Sequence, residues 1–184
     1  MRERDYVGRG GEKLKCAIDS LRLDVGGKVA ADFGCSIGGF TDCLLREGAS
    51  RVYAVDTGYG MLEWKLRCDP RVTVMERTNA MHVELPERVD IVTIDVAWTP
   101  QRHILPAALR AVREGGEILS LFKPQYEAAP SEVRRGKVAP DDFGRVLDRV
   151  LCQLCEAGIK VAETVRLPQA DRKKNLEAML YIIA

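Results

Sequence analysis

Apolar positions along this chain switch between two spacings, and the order of the switches predicts an architecture. Leu14, Ala17, Ile18 and Leu21 recur at the spacing of one helix face, and the run stops before "DVGG". A short apolar run, "KVAADFG" (28–34), follows and is closed by glycine, as a buried strand would be. Phe40, Cys43 and Leu44 return to helical spacing as far as Gly48, and "RVYAVD" (51–56) is a second strand ended by Asp56. "MLEWKLRCD" (61–69) reads as a short helix, "RVTVME" (71–76) as a third strand and "VDIVTID" (89–95) as a fourth, closing on Asp95. Ile104, Leu105, Ala108, Leu109 and Val112 form a helical stripe broken at "EGG", and "EILSLFKP" (117–124) is a fifth strand. Phe143, Val146, Leu147, Val150, Leu151 and Leu154 make the clearest amphipathic helix, with Asp141 or Asp142 at its start and Gly158 at its end. "IKVAETVRL" (159–167) and "LEAMLYIIA" (176–184) are the last strands. Strands and helices that alternate in this way predict an α/β domain: a mostly parallel seven-stranded sheet with helices on both faces.

Two polar segments interrupt the alternation. "QYEAAPSEVRRGKVAPDD" (125–142) is long and proline-bearing, which marks a functional loop rather than a linker, and "PQADRKKN" (168–175) is basic. At 184 residues one domain is expected over 1–184, with 1–27 an N-terminal extension and helix and 28–184 the core. Apolar residues make up 46% and charged residues 30%, which excludes a disordered or fibrous chain. With no apolar run of membrane-spanning length and no apolar stretch in "MRERDYVGRGGEKLK", a cytoplasmic protein without membrane contact is expected. The six cysteines are expected to be reduced and packed as small hydrophobes. "CQLC" (152–155) has a metal-like spacing but no second ligand pair, and His82 and His103 have no metal partners, so no metal is expected. A net charge of +1 excludes little, but basic residues gather between Arg2 and Lys15, at "RRGK" (Arg134 to Lys137) and at "DRKK" (Asp171 to Lys174). These are solvated loops by default, and a phosphate footprint only if they converge on one face.

Candidate chemistry begins at "ADFGCSIGGF" (31–40), a glycine-rich turn directly after the first strand, where sheets of this kind bind ligands. A triphosphate loop would end in Gly-Lys-Ser/Thr, and a dinucleotide fingerprint would run Gly-x-Gly-x-x-Gly. Here the turn ends Gly-Gly-Phe, and Gly34 and Gly38 are four residues apart, which disfavours both. S-adenosylmethionine fits what remains: backbone groups of the turn can hold its aminoacyl part, Asp56 its ribose, and the Asn79 amide an adenine edge. The alternative is that Gly34, Gly38 and Gly39 only permit a tight strand-to-helix turn. Asp32, Asp56 and Asn79, taken as successive strand ends, favour the cofactor.

"YVGRGGEKL", "DFGCSIGGFTDCLL", "VYAVDTGYGMLEWKLR", "ERTNAM" and "FKPQYE" together resemble the TlyA (hemolysin A) branch of FtsJ-related ribosomal RNA 2′-O-methyltransferases, from about Tyr6 to the carboxyl terminus. The resemblance implies a Rossmann-like, class I S-adenosylmethionine-dependent methyltransferase fold acting on ribosomal RNA or ribosomal subunits, with cytidine as the nucleotide. It implies a catalytic tetrad at Lys13, Asp95, Lys123 and Glu177, and a cofactor site lined by Asp32, Gly34, Ser36, Gly38, Gly39, Phe40, Asp56, Thr57, Asn79 and Asp95. The family usually carries an N-terminal S4 RNA-binding domain, so this chain is expected to be a catalytic domain alone. Two departures fall near the substrate: Ala97-Trp98 where the family has serine-phenylalanine, and "LPQADRKKN" where it has a glycine-rich motif.

Moving a methyl from a sulfonium to a hydroxyl is an in-line displacement that needs alignment and removal of a proton. Lys123, after an apolar strand and before proline, is the expected base, with Lys13 favouring its neutral form and the two carboxylates orienting it. Trp98 is expected to pack or anchor a loop rather than stack on a base. Two rival functions stay open on sequence alone: a cofactor- and RNA-binding module without turnover, and a small-molecule methyltransferase. The oligomeric state is open too.

Overall fold

The computed structural model of the chain describes residues 6–169 and 174–184. Helix α1 (Arg9–Leu21) leads into β1 (Val29–Phe33), α2 (Gly39–Arg46), β2 (Arg51–Val55), α3 (Trp64–Arg67) and β3 (Val72–Met75). Then follow β4 (Val89–Ile94), α4 (Gln101–Ala111), β5 (Val112–Phe122), the short strands β6 (Val133–Arg134) and β7 (Lys137–Val138), α5 (Phe143–Glu156), β8 (Val161–Arg166) and β9 (Ala178–Ile183). Seven strands form one sheet in the order β3-β2-β1-β4-β5-β9-β8. β1 to β5 pair in parallel, and β9 runs antiparallel between β5 and β8. The expected mostly parallel seven-stranded sheet is present.

Continuous apolar runs form these strands because both faces of the sheet are covered. Successive side chains alternate between the faces. On β9, Ala178, Leu180 and Ile182 join the cluster built with Ile104 and Leu105 of α4 and Val146 and Val150 of α5. Met179 and Tyr181 face the other way, toward the cluster that holds Leu14 and Ile18 of α1 and Phe40 and Leu44 of α2. Cys43, in this second cluster, packs as the apolar pattern required.

Several local expectations change. α1 starts at Arg9, well ahead of its apolar stripe, and the "MLEWKLRCD" helix shrinks to Trp64–Arg67. "EGG" does not end the α4 region with a loop. β5 begins directly at Val112, and Gly115 and Gly116 bulge against the chain end, with Gly115 N–H donating to Ala184 O (2.9 Å) and Ala184 N–H to Gly116 O (3.0 Å). Asp142 stands at the α5 N-cap, yet its carboxylate accepts from Arg145 (2.8 Å) and makes no capping bond. Of the cysteines, Cys35 and Cys43 are buried, whereas Cys68, Cys152 and Cys155 are exposed. Packing was expected for all six. In α5 the buried positions are 143, 146, 147, 150 and 154, and residues 152 and 155 fall off that stripe.

Candidate active site

Strand order reverses on either side of β1, between β2 and β4, and an open α/β sheet binds ligands at such a point, beyond the carboxyl ends of its strands. Gly34 follows β1, Asp56 follows β2, Asp95 follows β4 and Lys123 follows β5, so a glycine turn, two carboxylates and an ammonium surround one opening. They line a cleft of about 550 Å³ together with Ser36, Gly39, Phe40, Thr57 and Asn79.

The turn after β1 is shaped by its neighbours. Gly34 has φ +84°, and a Cβ there would stand 3.0 Å from Asp95 O, so the cleft floor closes only because this position has no side chain. Asp56 ties the turn to the next loop: its carboxylate accepts from Ser36 N–H (2.8 Å) through Oδ2 and from Gly58 N–H (2.7 Å) through Oδ1. Each oxygen keeps an accepting direction for a ligand hydroxyl. Asn79 uses its oxygen to cap the short turn at Ala80–His82, accepting from Met81 N–H (3.0 Å), which leaves its amide N–H groups as donors. These residues fit the ribose and adenine of S-adenosylmethionine: acceptors on one wall and an amide on another.

Two residues expected in the cofactor wall lie behind it. Gly38, with φ +100°, sits against Leu62 and Leu66 and starts α2. Asp32 occupies the fourth position of β1 rather than its end, pairing with Ala54 and Thr93 on the flanking strands, and is fully buried. Its carboxylate accepts from Thr41 Oγ1 (2.7 Å) and Thr93 Oγ1 (3.2 Å), which makes it a support for the turn. Burial pushes the Asp32 carboxyl from 3.8 up to about 7, against the hydroxyl of Thr41 and with help from the charge on Asp95. The folded chain therefore holds a proton that the unfolded chain has lost above about pH 4. The resulting stabilisation is full below that pH and disappears as the pH rises through about 7. Asp32→Asn has no such proton to lose, so its melting temperature should gain on the parent's by roughly 5–10 °C between pH 5 and pH 8. A constant difference between the two melting curves would remove this account of Asp32.

The four residues of the expected tetrad meet as two ion pairs. Lys123 Nζ lies 2.5 Å from Asp95 Oδ1, and it also donates to Val96 O (3.0 Å). Lys13 Nζ lies 2.5 Å from Glu177 Oε2, just before β9. The first turn of α1 joins the pairs: a Cβ on Gly10 would stand 3.8 Å from Asp95 Oδ2, and Lys13 follows one helical turn later. The Lys123–Asp95 pair is in the cleft wall, while the Lys13–Glu177 pair is outside it.

Gly8, Arg9 and Gly10 were not expected at the site, yet they line the cleft. The signal was the pair of small residues ahead of Lys13. At α2, Gly39 lets the α1 backbone approach, since a Cβ on it would meet Gly11 N at 3.1 Å. Trp98 departs from the core-packing half of its expectation, while its ring does contact Tyr126 in the segment after β5. It is 83% exposed, has φ +64°, lines the cleft, and its ring centroid is 5.1 Å from that of Tyr126. It packs into no core, so the helical and strand patterns could not place it.

A seven-stranded sheet with one antiparallel strand, a glycine turn at its switch point and acids after β2 and β4 define a Rossmann-like methyltransferase fold. A solved S-adenosylmethionine-dependent methyltransferase from Mesorhizobium loti shares that fold with a TM-score of 0.67 at 16% identity, covering 91% of this chain and 96% of the other. The chain belongs to the FtsJ-like methyltransferase family, whose model matches residues 6–184. It is 43% identical over 143 residues to the 16S/23S rRNA (cytidine-2′-O)-methyltransferase TlyA of Mycobacterium tuberculosis, covering 76% of this chain and 53% of that relative. A solved structure of a candidate hemolysin from Streptococcus thermophilus superposes with a TM-score of 0.92 at 34% identity, covering 99% of this chain and 68% of the other. The chain thus spans about half the length of the mycobacterial relative.

Proposed function

We propose that this chain transfers a methyl group from S-adenosylmethionine to a ribose 2′-hydroxyl of ribosomal RNA, at cytidine, in the cytoplasm where ribosomes are. The observation that carries the reading is the Lys123–Asp95 pair in the wall of a cleft whose other residues suit that cofactor. The mycobacterial relative's name supports the acceptor. Among the described residues no helix is long and apolar enough to cross a membrane.

S-adenosylmethionine supplies an electrophilic methyl on a sulfonium. Asp56 accepts from its ribose hydroxyls, Asn79 donates to its base, and backbone groups around Gly34 and Ser36 hold its aminoacyl end. Asp95 and the Val96 carbonyl fix Lys123 Nζ in place. Lys123, once neutral, takes the proton of the acceptor hydroxyl at Nζ as the oxygen becomes nucleophilic. Lys13 and Glu177 hold α1, one turn after Gly10, to the segment just before β9, which steadies the wall beside this pair.

Methyl-labelled cofactor offered with ribosomal subunits and with free ribosomal RNA tests the proposal. Label is expected in RNA, with one internucleotide linkage resistant to alkali, because a methylated 2′-oxygen cannot attack the phosphate. No incorporation by a chain that binds the cofactor would overturn the RNA methyltransferase reading and favour the module reading.

A further inference from the structure

Three basic segments, far apart in sequence, are stitched together in the structure. The Lys13–Glu177 pair joins the segment at α1 to the one that precedes β9. Asn175, two residues before Glu177, then joins that second segment to the hairpin of β6 and β7. Its Oδ1 accepts from Val138 N–H (2.9 Å), and its Nδ2 donates to Gly136 O (3.0 Å). Of the basic residues expected in these segments, Arg2, Arg4, Arg172 and Lys173 lie outside the described residues.

The hairpin itself is unusual in its turn. Val133 pairs with Val138 and Arg134 with Lys137, which leaves Arg135 and Gly136 as the two-residue loop. Both have positive φ, +51° and +75°. Such loops favour Asn-Gly, because a long side chain gains nothing from the left-handed region, so an arginine here breaks the local rule. Arg134, Arg135 and Lys137 are exposed. Among the described residues none of the three makes a side-chain hydrogen bond or ion pair. The acid that precedes them, Glu132, is already held by Arg145 and by Arg149 (2.7 Å), and these cations hold its carboxyl far below the usual range. Among the described residues, this leaves the hairpin's own cations unneutralised by Glu132.

We infer that the Val133–Val138 hairpin is a clamp for the RNA phosphate backbone, and that Asn175 sets its register against Glu177 and the tetrad. The inference rests on the RNA reading proposed above. Three exposed cations on one tight turn neutralise phosphates without reading sequence, while the two bonds from Asn175 tie that contact to the segment that bears Glu177. Asn175 acts as a positioning residue.

The test uses the whole chain, 23S and 16S ribosomal RNA, and the triple variant Arg134→Ala/Arg135→Ala/Lys137→Ala, with melting temperature and cofactor affinity as controls. RNA binding measured from 50 to 300 mM salt should weaken by about 10–100-fold in the variant, and the slope of log affinity against log salt should become shallower by about 2–3. For methylation, KM for RNA should rise more than kcat falls. Asn175→Ala keeps all three cations, so its salt slope should stay near the parent's while kcat/KM drops by about tenfold. A parent that methylates RNA, beside a triple variant with unchanged slope and KM, overturns the clamp alone. A parent that binds RNA with a slope the variant loses, yet transfers no methyl, overturns the methyltransferase reading and supports the clamp. A parent that binds no RNA overturns both.

Discussion

Lys123→Ala is expected to lower the rate of methyl transfer by on the order of 10²–10⁴-fold while cofactor affinity stays within a few-fold of the parent's. The expectation follows from position. Lys123 leaves β5 at its carboxyl end, and its ammonium is held by Asp95 Oδ1 at 2.5 Å and the Val96 carbonyl at 3.0 Å, on the rim opposite Asp56. Removing the amine deletes the proposed proton acceptor but none of the groups proposed to hold ribose or adenine. Lys123→Arg should fail nearly as completely, since a guanidinium keeps the charge and cannot give up a proton near neutral pH. Asp95→Asn should cost less than Lys123→Ala, because the amide oxygen still accepts from Nζ. Single-turnover rates with labelled cofactor measure all three. A Lys123→Ala chain that retained more than a tenth of the parent rate would remove Lys123 from the role of base.

Asp56→Ala should act on the other half of the site, weakening S-adenosylmethionine binding by about 10²-fold or more. Its carboxylate makes two charge-assisted bonds, to Ser36 N–H and Gly58 N–H, so one side chain organises the turn after β1 and the loop after β2. A hydrogen bond to a charged group is worth about 1.5–3 kcal/mol, and the substitution removes the proposed bond to the ligand along with the two that shape the loops. Asp56→Asn retains one acceptor and should fall between. Calorimetric titration with the cofactor checks the series. Unchanged affinity in Asp56→Ala would move the ribose to another wall.

These two expectations differ in how they could have been reached. Asp56 and Lys123 each follow an apolar run, and a parallel sheet carries such positions to one edge, so the place of both is legible in the sequence. Asp32 differs for a related reason: Phe33 still belongs to the strand after it, which puts the acid inside the sheet between Ala54 and Thr93. One position decides whether a carboxylate faces a ligand or two threonine hydroxyls. The glycines divide likewise. Gly34 and Gly38 both have positive φ, but a Cβ on Gly34 would meet the Asp95 backbone and one on Gly38 the side chains of Leu62 and Leu66, and only contacts between distant segments make that distinction.

The order of strands and helices, the two-sided core and the location of the cleft were set by the sequence itself, because period and turn chemistry are local properties of the chain. Tertiary structure alone decided three other things. It paired Lys123 with Asp95 and Lys13 with Glu177, it brought Gly8 to Gly10 over the cleft, and it used Asn175 to bind a basic hairpin to the segment that bears Glu177. Each depends on which residues meet after the chain has crossed the sheet, and no spacing along the chain encodes a distance across it.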